Sequence, residues 1–107
     1  MNKIFKIEYY VPESHAEITQ KALFSAGAGR IGSYDQCCWK TLGQGEFSPL
    51  HDSNPYLGQI NQTKKVKEYK IELVCAEEFL KESIESMIQS HPYETPAYNY
   101  WPINFTD

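Results

Sequence analysis

Apolar and polar residues alternate strictly from Lys3 to Val11: Phe5, Ile7, Tyr9 and Val11 fall on one side, Ile4, Lys6, Glu8 and Tyr10 on the other. A period of two in β-favouring residues predicts a strand with one buried face. Pro12 ends it and opens a helix, because a locked φ and a missing N–H cost little in a first turn, where Glu13 also suits the helix dipole. Ile18, Ala22 and Ala26 recur at every fourth position with Leu23 beside them, which predicts the buried stripe; Gly27 and Gly29 supply the stop. Ser33 to Leu42 alternates again and predicts a second strand, with Cys37, Trp39 and Thr41 on one face. No period continues from Gly43 to Gln62, a stretch rich in glycine, proline and asparagine that reads as a long loop; such loops are commonly functional. Val66 to Cys75 is the clearest strand, with Tyr69, Ile71, Leu73 and Cys75 set against Glu68, Lys70, Glu72 and Val74. Glu77 and Glu78 open a second helix with Leu80, Ile84, Met87 and Ile88 as its buried stripe. His91-Pro92 ends that helix, and Ala97 to Ile103 makes a short, tyrosine-rich last strand.

Strand, helix, strand, long hairpin, strand, helix, strand is the split βαβ order. It predicts an α+β, ferredoxin-like βαββαβ fold, an antiparallel sheet with both helices on one face and a long loop between the second and third strands. The other sheet face then has no helix to cover it. First and third strands are neighbours in this topology, so Lys6, Glu8, Lys70 and Glu72 are expected to pair across them. Tyr10 and Val74 share that bare face, and aromatic residues make up 14% of the chain, more than one small core needs. The bare face is therefore expected to meet further copies of the chain.

Composition narrows the classes. At 107 residues the chain is expected to be a single domain, 1–107, with hydrophobic (41%) and charged (22%) fractions close to globular averages. Fourteen acidic against ten basic side chains leave a net charge of −4, and Lys64, Lys65 and Lys67 are followed at once by Glu68, so no basic stripe for nucleic acid is present. No apolar run approaches the ~20 residues of a membrane span, and the N-terminus lacks the apolar core of a signal peptide. Three cysteines, an odd count, do not form a disulfide framework. A cytoplasmic protein without nucleic-acid or membrane partners is the expectation.

Candidate chemistry is sparse. Gly27-Ala28-Gly29-Arg30-Ile31-Gly32 has G-x-G-x-x-G spacing, but a helix precedes it and a strand follows, the reverse of what a dinucleotide site requires. A helix stop is the simpler reading, with Arg30 left as a candidate anion contact. Cys37 and Cys38 point to opposite faces if the strand is regular, and no Cys-x-x-Cys is present, so structural thiols are expected. His15 reads as a surface or packing residue, and His51 stands beside Asp52 in the loop. His91 ends the second helix in His91-Pro92-Tyr93-Glu94-Thr95-Pro96, where two prolines stiffen the turn and hold His91 and Glu94 in a fixed relation. That pair can cap a helix or ligate a metal ion. No nucleophile–base order, His-Glu-x-x-His or Walker lysine is present, and nothing demands catalysis.

Taken together, Val11-Pro12-Glu13, Ala26 to Asp35, Thr41-Leu42-Gly43-Gln44-Gly45-Glu46-Phe47, Pro49-Leu50, Asn54-Pro55, Gly58 and His91 to Tyr98 resemble the small inserted domain of the Nif-three-like (YqfO-type) proteins. The His-Pro-Tyr-Glu turn also resembles the CutA divalent-cation-tolerance family, which is ferredoxin-like, related to the PII signalling proteins, and trimeric. The resemblance implies a homotrimer with the bare sheet face inside, and ligand sites at clefts between subunits. It places the two-metal site of full-length Nif-three-like proteins in a flanking core that this chain lacks, so a stand-alone, non-enzymatic module is expected. The candidate metal ligands are His91 and Glu94, for copper, zinc or nickel; the candidate small-ligand contacts are Arg30, Gly43, Gly45 and Tyr93. A structural or regulatory module acting on a protein partner, such as a Nif-three-like core protein, is the alternative.

Overall fold

The computed structural model describes residues 3–105. Four strands, β1 (Ile4–Pro12), β2 (Trp39–Phe47), β3 (Lys64–Ala76) and β4 (Tyr98–Ile103), form one antiparallel sheet in the order β2-β3-β1-β4. Helices α1 (Ala16–Ala26) and α2 (Glu77–Ser90) lie against the face that carries Ile7, Tyr9 and Val11 of β1 and Ile71, Leu73 and Cys75 of β3. This is the expected βαββαβ arrangement. Pro12 caps a single 3-10 turn, Glu13–His15, and α1 proper starts one turn later than the proline suggests. Gly27, at φ 113°, closes α1 in the left-handed region, and Ala28 N–H donates to the Leu23 carbonyl, so the glycine motif is a helix stop as expected. A side chain at Gly27 would also run into the Phe79 ring of α2, which packs over the turn.

The core corrects the α1 stripe. Ala16, Thr19, Leu23 and Ala26 are buried, whereas Ile18 is 54% exposed. Thr19 occupies the inner face because its hydroxyl is fully satisfied there: it accepts from the buried Tyr9 hydroxyl at 3.0 Å and reaches the carbonyls of His15 and Ala16. A hydrogen-bonded threonine buries without penalty, and the rotation that places it inward turns Ile18 out. Burial, against the opposing hydrogen bond to Thr19, holds the Tyr9 hydroxyl well above its ordinary pKa, so it stays protonated. On α2, Ile84 and Met87 are buried and Leu80 packs at the core's edge, but Ile88 is exposed and Ser83 takes the inner position.

The second strand begins at Trp39 rather than Ser33 and continues through Phe47, so Gly43 and Gly45 lie in a strand and not in the loop. β1 pairs with β3 only as far as Pro12 opposite Glu68, while β2 and β3 remain paired out to Phe47 opposite Lys64. The β2–β3 ribbon therefore extends about 13 Å past the sheet, and residues 48–63 close it. On the helix-free face Glu8 stands directly opposite Glu72; Lys70 meets Glu8 at 3.5 Å, Lys6 meets Glu72 at 3.7 Å, and Asn99 donates to Glu8. Two diagonal lysines thus offset one like-charge pair. No helix among the described residues is long and apolar enough to cross a membrane.

Leu23→Ala is expected to destabilise the fold by about 2–5 kcal/mol, and Ile18→Ala by no more than about 0.5 kcal/mol. Urea denaturation of the two variants checks the stripe; equal losses would contradict it.

Candidate functional site

At the end of the sheet where β1 stops, the turn after α2 folds against the β2–β3 ribbon. His91 fixes it. The imidazole is 7% exposed, and its Nε2 lies 2.7 Å from the Tyr10 carbonyl oxygen, an acceptor, so Nε2 carries the hydrogen and donates. Nδ1 then holds the lone pair and accepts the Tyr93 backbone N–H at 3.1 Å. The Tyr10 amide in turn donates to the Ala97 carbonyl at 3.2 Å, so both backbone groups of Tyr10 bind the His91–Ala97 turn. Burial pulls the His91 pKa below its ordinary value, against the opposing hydrogen bond to Tyr10.

Held this way, Tyr93 leans over the ribbon. Its hydroxyl donates to Glu68 Oε2 at 2.8 Å, and its ring lies 6.1 Å from Phe47 and 6.3 Å from Tyr56, centre to centre. Burial first, then the Glu68 carboxylate, drives the Tyr93 pKa far up, so the phenol is a fixed donor. Gly45 has a specific role here. A Cβ at that position would collide with the Glu68 carboxylate, so a residue without a side chain gives Glu68 room to turn toward Tyr93. The loop is tied down by Glu94, whose carboxylate accepts the Asn54 backbone N–H at 2.9 Å. Together these segments form a cleft of about 530 Å³, lined by the apolar residues Phe47, Pro49, Leu50, Tyr56, Leu57 and Tyr93 and also by Tyr10 and Glu68.

Of the residues singled out in the sequence, Gly45, Tyr93 and Glu94 line this cleft together, and His91 stands behind it as the pin of the turn. Gly43, opposite Glu68 in the register, is exposed and outside the lining. Arg30 lies at the other end of the sheet, 3.7 Å from Asp35 and over the Phe79 ring, and takes no part. Both His91 ring nitrogens are hydrogen-bonded, and the Glu94 carboxylate accepts from the Asn54 amide. Among the described residues no three His, Cys, Asp or Glu side chains gather as a metal-binding group. His51 is exposed in the loop. His15 contacts Ser14 Oγ at 2.8 Å and meets the Tyr56 ring edge-on. The three thiols are free, with Cys75 buried and pushed up in pKa by burial. Tyr10, Phe47, Tyr56 and Glu68 were not marked by the sequence. Glu68 is one charge in an alternating strand, and only its register opposite glycine distinguishes it.

No protein-family model matches the chain. The GTP cyclohydrolase 1 type 2 homolog of Bacillus subtilis strain 168 is 39% identical over 101 residues, 94% of this chain but 27% of that protein. The homolog from Halalkalibacterium halodurans is 38% identical over 100 residues, with the same coverage. Among solved structures, the Bacillus cereus protein related to NIF3 superposes with a TM-score of 0.83 at 34% identity, over 97% of this chain and 26% of that one. CutA1 from Ehrlichia chaffeensis gives 0.68 at 14% identity, over 100% of this chain and 87% of its own. The ATP complex of Bacillus subtilis GlnK gives 0.61 at 12%, over 95% and 84%. The fold is thus the ferredoxin-like one shared by CutA1 and GlnK. Over 94% of its length the chain matches the Nif-three-like proteins and belongs to that family, as a small CutA-like domain that spans about a quarter of the relatives it matches.

Because the folded His91 pKa is depressed, the unfolded chain binds the extra proton first as pH falls. Stability is therefore full above the ordinary imidazole value near 6.5 and declines as pH drops from there toward the folded pKa. Thermal unfolding from pH 7.5 to 5 is expected to show this decline in the wild type and a smaller one in His91→Gln, which keeps a donor for Tyr10 but does not titrate; parallel profiles would contradict it.

Proposed function

We propose that this chain is a non-enzymatic binding module that assembles as a trimer of identical subunits through its helix-free sheet face and holds a small organic ligand in the cleft beside Tyr93. The cleft carries the reading. Its walls come from β1, both arms of the ribbon, the connecting loop and the turn after α2, and its volume of about 530 Å³ falls in the range of small-molecule sites. The Tyr93 phenol is bound to Glu68, and neither His91 nitrogen is free to act as a base, which suits recognition more than chemistry. The relatives' name as cyclohydrolase homologs belongs to proteins of which this chain spans about a quarter. In this reading His91 belongs to the architecture of the cleft and not to a copper, zinc or nickel ion.

Assembly is supported by the bare face itself. Trp39, 68% exposed, and Trp101, 41% exposed, stand at its two edges, opposite Glu72 and Lys6 respectively. Aromatic side chains at the margin of a charge-paired sheet suit contact with another copy.

Sedimentation equilibrium at micromolar concentration is expected to give three times the 12.4 kDa chain mass, and Trp101→Glu to lower it with the far-UV circular dichroism unchanged. In the same wild-type sample, an NMR fragment screen is expected to place its hits on the amides of Gly45, Thr95 and Ala97. A wild-type monomer, or hits scattered away from the cleft, would contradict the corresponding half of the reading.

A further inference from the structure

The charge on the cleft wall specifies more than a cavity does. Alongside the aromatic and aliphatic residues, the lining includes the acidic residues Asp52, Glu68 and Glu94 and no lysine, arginine or histidine; Glu46 contributes from a strand position whose side chain alternates away from Gly45 and Phe47. Among the described residues none of these three acids is in an ion pair; the pairs found elsewhere are Lys6 with Glu72, Lys70 with Glu8 and Arg30 with Asp35. The only internal partners recorded for them are the Tyr93 hydroxyl on Glu68 and the Asn54 amide on Glu94, each of which leaves carboxylate acceptor capacity over.

We infer that the cleft selects an organic cation, an amine or guanidinium carried on a flat apolar body. Resting on the small-ligand reading above, this names the ligand's class. The flat body lies against Tyr93, Tyr56 and Phe47, whose centre-to-centre spacings of 6.1 and 6.3 Å make a continuous aromatic wall. The cationic end is drawn to the acidic residues of the lining, and gains further from the ring faces. An anionic ligand meets the opposite situation. A phosphate or carboxylate entering the cleft meets Asp52, Glu68 and Glu94 and no cation from the lining, so phosphorylated nucleotides are disfavoured despite the fold shared with GlnK.

Three probes of one shape separate the possibilities: naphthylmethylammonium, the neutral naphthylmethanol and the anionic naphthylacetate, each titrated into isotope-labelled protein and followed through the backbone amides. The ammonium probe is expected to shift Gly45, Thr95 and Ala97 and to bind at least about tenfold tighter than the other two, an advantage that added salt reduces. Glu68→Gln, which keeps an acceptor for Tyr93, and Glu94→Gln are each expected to reduce the advantage of the ammonium probe over the neutral one severalfold. Equal or tighter binding of the neutral or anionic probe at the same amides overturns the cation assignment and leaves the cleft reading standing. Failure of all three probes to perturb the cleft amides overturns both.

Discussion

One backbone unit at the end of the central strand organises the functional end of this protein. The Tyr10 carbonyl accepts from His91 and the Tyr10 amide donates to Ala97, so on the side where pairing with β4 stops at Tyr9 opposite Tyr98 the β1 backbone is satisfied by the turn that follows α2. A buried carbonyl without such a partner is costly, and an imidazole that donates there must present its lone pair at the other nitrogen. Tyr93 supplies the N–H that this lone pair requires. The tautomer, the direction of the turn and the placement of the Tyr93 side chain are consequences of the same two hydrogen bonds.

From Tyr93 the constraint passes into the ribbon. The phenol reaches Glu68 because Gly45, diagonally across the strand pair, has no side chain to keep the carboxylate away. Beyond Pro12 the ribbon has lost β1 as a neighbour, so its inner side is open to the loop and the turn rather than to a sheet partner. That loss of a strand neighbour makes the cleft. The same sheet face, nearer its middle, is filled by the lysine–glutamate diagonals across β1 and β3, and the two tryptophans lie outside them.

Strict alternation in β1 and β3 made the sheet and its buried face legible, since a one-residue slip there would have turned Ile7, Tyr9, Ile71 and Leu73 outward together. β2 was harder to read because it is an edge strand with nearly all of its residues exposed, and glycine within it resembles loop composition. On α1 the hydrophobic pattern favoured Ile18 over Thr19; the deciding partner, the Tyr9 hydroxyl, lies ten residues away in sequence on another element. The stiff His-Pro-Tyr-Glu turn was visible as a functional candidate, and Tyr93 and Gly45 do meet at the cleft. What composition and spacing did not carry was which partners would engage the two nitrogens of His91. That depends on the Tyr10 carbonyl, 81 residues distant, and it is the reason the ring is a pin here.

The central claim, that His91 holds the turn as a neutral ring engaged at both nitrogens, is tested most directly by nitrogen-15 NMR of the imidazole in the intact protein at neutral pH. The account expects the Nε2–H tautomer, with Nε2 protonated and Nδ1 an acceptor, unchanged when zinc is added. An Nδ1–H tautomer, a ring charged at neutral pH, or a zinc-dependent shift of either nitrogen would contradict it.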